Sequence, residues 1–484
     1  MKLISIFLAL ALITTAHAAE RPKVYLDTTL VVSAGRVFTV RAGDDLQAIV
    51  DKAQPGDTVD VQANATFPPL AIRNKTDSYK WLTIRTSAWA SLPAPGVRIG
   101  PVHSPLMPKL VPVDTGYALD IYPTSNGFTR ARNVRFIGIE IAVNPNFPVN
   151  FGLVKIGTND SWKTMLGMEP TDIIFDRCYV HGLPGLDSKR GFFINSSRTA
   201  VIDSYISEFH LRGQESQGIL VANAPGPLKI VNCYIEAAGV NVLFGGLDVK
   251  ITGLIPSDVE FRDNHLSKPL SWNPLHASYS GIHWSVKNLF ELKNAQRVWI
   301  EGNLFENNWV DAQSGPSILF TPRNQDGGNP WATVKDVNFI NNRIVNVAGA
   351  ISILGTDDIN PSQPAERITI KGSIVERLNA PGLGGNGRFL QLLNGPRDVT
   401  VQNNSVISAD AITPVVFDGA QMTGFVFTDN ILSRGQFGVM GSGLGEGTSS
   451  LAGYCPGYVF TRNVLIGDPS VASRYPSGNY FVSP

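Results

Sequence analysis

Four residues of this chain have the types needed to remove a proton beside a carboxylate: Glu291 and Lys293 in NLFELK, Arg323 in TPRNQDG and Asp357 in GTDD. The C5 proton of a uronic acid becomes removable once the neighbouring carboxylate is neutralised, and a guanidinium does that while stabilising the enolate-like intermediate. In such an arrangement Arg323 would neutralise the carboxylate and Lys293 would take the proton, with Glu291 and Asp357 as the flanking carboxylates. The same third of the chain holds five of the eight tryptophans, including Trp272, Trp309 and Trp331, and three of the seven histidines, including His276 and His283. Aromatic rings projecting over a groove suit the C–H faces of sugars, while the hydroxyls need polar partners, so these five are the candidate substrate-binding residues. Two structural readings compete with this one. Tryptophans also pin loops, and outward Lys, Arg and Glu on stacked strands also form solvated ion-pair ladders.

What must position these residues is visible as a period. The stretches VEFRDNHL (259–266), VWIEGNLF (298–305), VNFINNRI (337–344), ITIKGSIV (368–375), VTVQNNSV (399–406), FVFTDNIL (425–432) and YVFTRNVL (458–465) superpose without gaps. Weaker copies begin at 134, 173, 199 and 228, with starts 26 to 39 residues apart. Each copy reads as two short strands around a turn, the turn residue being mostly Asn, which tolerates a left-handed backbone. Between copies runs a third apolar segment, such as NLFELK, SILFTP, AISILG and RFLQLL. Three short strands per repeat describe the coil of a parallel β-solenoid. Alternation then turns Phe290 and Leu292 inward and Glu291 and Lys293 outward, with Arg323 outward on the next coil. The two NLFE tetrapeptides, at 288–291 and 303–306, take different places in one coil. The segment 39–62 reads as a strand, a helix over about 44–54 and a Pro-Gly-Asp turn. An amphipathic helix there would cover the open end of the first coil.

The helix followed by PGDT, the three-strand coil and the Asn ladder at Asn264, Asn303, Asn342, Asn404, Asn430 and Asn463 resemble the right-handed parallel β-helix superfamily of pectate lyase-like proteins over about residues 35 to 470. The resemblance implies an all-β, right-handed parallel β-helix with an N-terminal capping helix, one domain over 19–484 and coils over about 58–470. It also implies a polysaccharide partner, since that superfamily holds lyases, hydrolases, epimerases, esterases and adhesive proteins. NAQRVWIEGN is similar to the VWIDH strand of pectate lyases, with Glu301 and Gly302 standing at its Asp and His. GTDD is similar to the aspartates of polygalacturonase-like hydrolases, whose Gly-His-Gly and Arg-Ile-Lys motifs are absent here.

The leading expectation is therefore a lyase-like β-elimination on an acidic glycan. The alternatives are a noncatalytic glycan-binding or adhesive surface solenoid and a glycoside hydrolase. Lys2, the apolar run 3–13 and Ala16-His17-Ala18 read as a signal peptide over 1–18, so export outside the cell or to a periplasm is expected. No later run is long and apolar enough for a membrane helix, and 40 basic residues against 40 acidic ones give no basis for nucleic-acid binding. No cofactor is expected other than, at most, calcium at Glu291, Asp311 or Asp326, and a monomer is expected. Cys178 and Cys233 fall two coils apart, about 9.6 Å along the axis, too far for a disulfide.

Overall fold

The computed structural model describes residues 17–32, 34–73, 75, 79–122, 130–408 and 410–484; the expected signal peptide lies almost wholly outside them. Every strand pairing among the described residues is parallel; three long sheets run the length of the chain, and Val149–Asn150 and Asp187–Ser188 form a separate two-stranded one. Sheet A has 14 strands from Val37–Val40 to Val459–Thr461, sheet B has 14 from Thr66–Phe67 to Tyr480–Val482, and sheet C has 12 from Leu70–Ile72 to Val439–Gly441. One strand of each sheet makes a coil, so the chain is an all-β parallel β-helix. Its interior is a single apolar column in which the inward residue of each rung stacks on the next, as Phe261, Ile300, Phe339 and Ile370 do in sheet A.

The repeat copies map onto this directly. VWIEGNLF becomes Ala295–Glu301 in sheet A, a turn at Gly302-Asn303, and Leu304–Asn308 in sheet B. The first NLFE lies inside the sheet C strand Asn288–Leu292, and the second straddles the A-to-B turn. One detail of the turn differs from the sequence reading. The left-handed residue is the one before the ladder Asn: Asp263, Gly302, Asn341, Gly372, Asn403, Asp429 and Arg462 all have φ between +54° and +69°. The ladder side chains point inward instead. Asn303 Oδ1 accepts from the Asn264 N–H at 2.9 Å, and Asn342 Oδ1 accepts from the Asn303 N–H at 2.9 Å. An inward Asn thus satisfies a turn N–H that no strand can reach. Ser373 fills one rung of the ladder, and Asn479, one coil beyond Asn463, extends it. Cys178 and Cys233 occupy earlier rungs as buried free thiols, and burial pushes both up to about 12.

The helix Leu46–Lys52 is N-capped by Asp45, whose side chain accepts from the Ala48 N–H, and its Leu46 and Val50 enter the core. Leu70–Ile72 is the terminal strand of sheet C. The Gln47 side-chain amide pairs with both the N–H and the C=O of Ala71, at 2.8 and 2.9 Å, so the helix occupies an edge that another strand would otherwise find.

A segment after the expected cleavage site runs across the outside of sheet A, perpendicular to its strands. The Glu20 N–H donates to Asp336 and the Lys23 N–H to Asp258, two rungs on. Three extended residues cover about 10 Å and two rungs about 9.6 Å, so the spacings match. Leu26 then inserts among Ile174, Ala200 and Ile202. Arg21 and Arg262 both lie over Trp299, with centroid distances of 4.6 and 4.7 Å, so this tryptophan faces the strap. No helix among the described residues is long and apolar enough to cross a membrane.

Candidate functional site

Lys293 and Arg323 leave sheet C at the same corner, on neighbouring rungs. Glu291 pairs in register with Leu319, and the Arg323 N–H donates to the Lys293 carbonyl at 3.0 Å. The stem of Lys293 lies over Gly245 and Gly246. A Cβ on Gly246 would stand 3.7 Å from Lys293 Nζ, and one on Gly245 would meet Lys293 Cβ at 3.0 Å. Both glycines have positive φ, so the turn and the space for the lysine come from the same residues. Lys293 Nζ is 3.7 Å from Glu291 Oε1, and Asn288 Nδ2 holds Glu291 Oε2 at 3.2 Å. Phe290 and Leu292 point inward, as alternation requires.

Arg323 is held from the far side. Its Nη1 donates to Asp357 Oδ1 at 2.8 Å and also contacts Asp358. The strand Gly349–Leu354 ends before both aspartates, so adjacent residues can reach one guanidinium. Burial opposes the charge on Asp357, but the Ile359 and Asn324 N–H groups and Arg323 outweigh it and hold the carboxyl below its ordinary value. Asp357 thus anchors Arg323 as an ionised carboxylate. Among the described residues, Arg323 Nε and Nη2 donate to no protein acceptor, which leaves one edge of the fork for a ligand.

The five substrate-binding candidates are dispersed. Trp272 and Trp309 are buried with Trp284, Val286, Ala348 and Leu383 in a cluster that pins loops to the coil. They therefore offer no face to a sugar, and the loop-pinning account holds for them. Trp331 packs on Val249, Ile251 and Leu254 and donates to the Leu254 carbonyl at 3.0 Å. His276 is exposed and hydrogen-bonds Ser278, and His283 pairs with Asp311 at 2.6 Å. Neither histidine is placed beside Lys293 by any contact. The calcium expectation also meets this geometry: among the described residues no three carboxylate, imidazole or thiol groups gather into a cage. Glu291 is engaged by Asn288 and Lys293, and Asp311 by His283 and the Val286 N–H. Glu291, Asp311 and Asp326 do not come together in such a group.

A second group of titratable side chains, missed in the sequence, lies on the outer face of sheet B. Tyr179, Tyr205, Tyr234 and His265 are register partners on four successive rungs, and the Tyr205 and Tyr234 rings stack at 4.3 Å. Beside them run Glu236, Ser267 and Glu306. Burial, and then the Glu208 carboxylate, push Glu236 up to about 7, while Tyr234 donates to it at 2.8 Å. His265 bonds Glu306 at 2.9 Å and holds that carboxyl below its ordinary value against burial. The signal was present in the repeat: each of these rings directly follows the ladder position of its copy.

Glu236 gives a stability prediction whose sign is fixed. The folded state holds this proton more tightly than the unfolded chain does. The stability it contributes is therefore complete below the ordinary glutamate value and is lost as pH rises through about 7. Glu236→Gln, neutral throughout, is expected to be the more stable protein at about pH 8, by roughly 3 kcal/mol, with the two converging near pH 4. Denaturant midpoints at both pH values check this; a wild type as stable as the variant at the higher pH would contradict it.

No protein-family model and no curated protein matches the chain. Solved structures similar to it include the catalytic unit of a thermostable GH87 alpha-1,3-glucanase from Streptomyces thermodiastaticus, with 12% identity, TM-score 0.48, and 95% of this chain and 69% of that one covered. Another is a mannuronic acid specific polysaccharide family 6 lyase from human gut microbiota, with 12% identity, TM-score 0.38, and coverage of 93% and 91%. A third is PfbA, a surface adhesin of Streptococcus pneumoniae, with 10% identity, TM-score 0.36, and coverage of 87% and 84%. At these values the similarities carry no argument about reaction or substrate.

Proposed function

We propose that this is an exported, carbohydrate-active β-helix protein that cleaves an acidic glycan by β-elimination at the corner of sheet C. The observation that carries this reading is the pairing of Lys293 and Arg323: an amine and a guanidinium leave adjacent rungs joined by a backbone hydrogen bond. Adjacent rungs are about 4.8 Å apart at the backbone, so one sugar can lie against both residues.

Arg323, anchored by Asp357 through Nη1, presents its free Nε and Nη2 edge to the uronate carboxylate. Two parallel hydrogen bonds neutralise that carboxylate and favour the enolate-like state in which its charge grows. Lys293, steered by Glu291, takes the C5 proton in its amine form. The electron pair left at C5 forms the C4–C5 double bond, and the bond from C4 to the glycosidic oxygen breaks. The departing sugar oxygen then receives a proton, either returned from Lys293 or taken from water. The products are an unsaturated uronate and a shortened chain, with no water added across the bond.

One observation favours a second reading. Glu236 and Glu306 stand two rungs apart on sheet B with opposite displacements of their pKa values. A protonated and an ionised carboxyl about 9.6 Å apart at the backbone approach the geometry of an inverting glycoside hydrolase. A panel of acidic and neutral polysaccharides separates the readings. Elimination gives ultraviolet absorbance from the new double bond, and it should vanish in Lys293→Ala. Hydrolysis gives reducing ends without absorbance, lost in Glu236→Gln and Glu306→Gln but kept in Lys293→Ala. Binding without either signal would return the protein to the noncatalytic solenoid.

A further inference from the structure

The outward column that starts at Glu291 continues across sheet C through Leu319, Ser352, Gln391, Val416 and Met440, each in register with the next. Five rungs at about 4.8 Å extend it roughly 24 Å from Glu291. Two depressions open along the far part. One of about 310 Å³ is lined by Arg388, Val416, Phe437, Met440 and Leu444, and a smaller one by Ser314, Gly349, Arg388 and Gln391. Arg388 lines both, so the two form one path along the sheet.

The chemistry of this path is unlike that of the buried tryptophan cluster. Phe437 and Leu444 are 44% and 38% exposed, so an aromatic ring and an aliphatic side chain face solvent at the groove's end. Arg388 donates through Nη1 to Gln391 Oε1 at 2.7 Å, while its Nε is shielded from solvent and has no partner. Among the described residues no carboxylate lies within ion-pair distance of Arg388. Other arginines on the coils are matched by carboxylates, as Arg367 is by Asp336 and Arg434 by Glu446, whereas Arg388, like Arg190, bonds a glutamine side chain instead. An unmatched guanidinium with an orphaned N–H beside an exposed ring is suited to a ligand carrying both an anion and an apolar face.

We propose that Arg388 and Phe437 form a second subsite of the sheet C groove. There Arg388 takes the carboxylate of an acidic sugar, and Phe437 packs against the C–H face of that sugar ring. This rests on the elimination reading only in taking the ligand to be an acidic glycan. The subsite lies three rungs or more from Glu291, about 14 Å along the axis, so it engages a sugar several units from the one at Lys293. Long oligosaccharides can span both places, and a disaccharide at Lys293 cannot.

Binding measured by calorimetry tests this without needing turnover. The probes are oligogalacturonate and oligomannuronate as dimers and hexamers, with neutral xylohexaose as control. With the acidic hexamer that wild type binds best, Arg388→Ala and Phe437→Ala are each expected to weaken affinity about ten-fold or more, the worth of one charge-assisted hydrogen bond or one ring contact. Dimer affinity and thermal midpoint should be unchanged. With polymer, Arg388→Ala should raise KM and leave kcat in place. Equal hexamer affinity in wild type and both variants would overturn the subsite, as would an equal loss on the dimer or on xylohexaose. If neither acidic hexamer binds while polymer is still cleaved, the subsite falls alone. If the hexamer binds in the expected pattern but no polymer is cleaved, the subsite stands and the elimination reading falls.

Discussion

Lys293→Ala is expected to lower turnover of the susceptible acidic glycan by about 10²- to 10⁴-fold, the range that removal of a general base produces. Its affinity for the same glycan should change little, because the lysine acts on a proton and the carboxylate is held elsewhere. Arg323→Ala should also lose about 10²- to 10³-fold in turnover, since it removes donors aimed at the growing negative charge. It should weaken binding too, and it leaves Asp357 and Asp358 without their counter-ion. Arg323→Lys is expected to recover only part of the loss. A lysine restores the charge but lacks the planar fork that lets one edge bond Asp357 while the other faces a ligand. Steady-state rates with kcat and KM separated check all three. An Arg323→Ala protein with wild-type kcat would remove the guanidinium from the mechanism.

Lys268→Met is expected to be among the most damaging single changes for stability. Lys268 is fully buried, and its Nζ lies within hydrogen-bond distance of the carbonyls of Ala237, Ala238, Gly239 and Asn288 and of Asn241 Oδ1, at 2.7 to 3.2 Å. Burial pulls the amine's pKa down. Yet all five neighbours are acceptors, so an ammonium is the species that satisfies them. Methionine matches the volume but removes the donor that all five oxygens share, of which the Ala238 and Gly239 carbonyls keep a backbone N–H, for a loss of about 3 to 5 kcal/mol. The damage should be local first, because Lys268 ties the start of the 268–287 segment to the coil beneath it. That segment carries Trp272 and Trp284, and Trp284 stacks on His210 at 3.9 Å. Early proteolytic cutting within 268–287, together with a fall in thermal midpoint, is the expected result. A variant with an unchanged midpoint would show that the lysine is neutral and weakly held.

The repeat was readable because each copy places an inward pair such as Val298 and Ile300 and a ladder residue such as Asn303 at fixed spacing. A solenoid forces every coil to solve the same packing problem. Asn479 escaped that reading because it follows Asn463 by only 16 residues, too few for a full copy. The repeat alone puts the left-handed residue one position late because Asn suits both roles. Only the backbone shows that Asn303 turns inward while Gly302 makes the turn. Lys293 and Arg323 were legible because strand alternation and adjacency in the repeat fix which rung each leaves. What Arg323 touches was not legible, since that depends on the strand at 349–354 ending before Asp357 and Asp358.

Loop tryptophans look alike in sequence whether they meet a sugar or seal a loop, and Trp272 and Trp309 turned out to seal one. Glu236 and Arg388 owe their character to residues on several coils. Glu208, Tyr234 and Glu306 surround one face, and Val416, Phe437 and Met440 border the other. No window of contiguous sequence contains either set.

In β-elimination the glycosidic bond is broken without water. The most direct measurement is digestion of the susceptible acidic glycan in water enriched in heavy oxygen, with the products analysed by mass spectrometry. Elimination at Lys293 predicts fragments that carry the new double bond and no heavy oxygen at the newly formed chain end. Fragments labelled at a new reducing end and lacking the double bond would contradict it and place the chemistry with the carboxyl groups of sheet B.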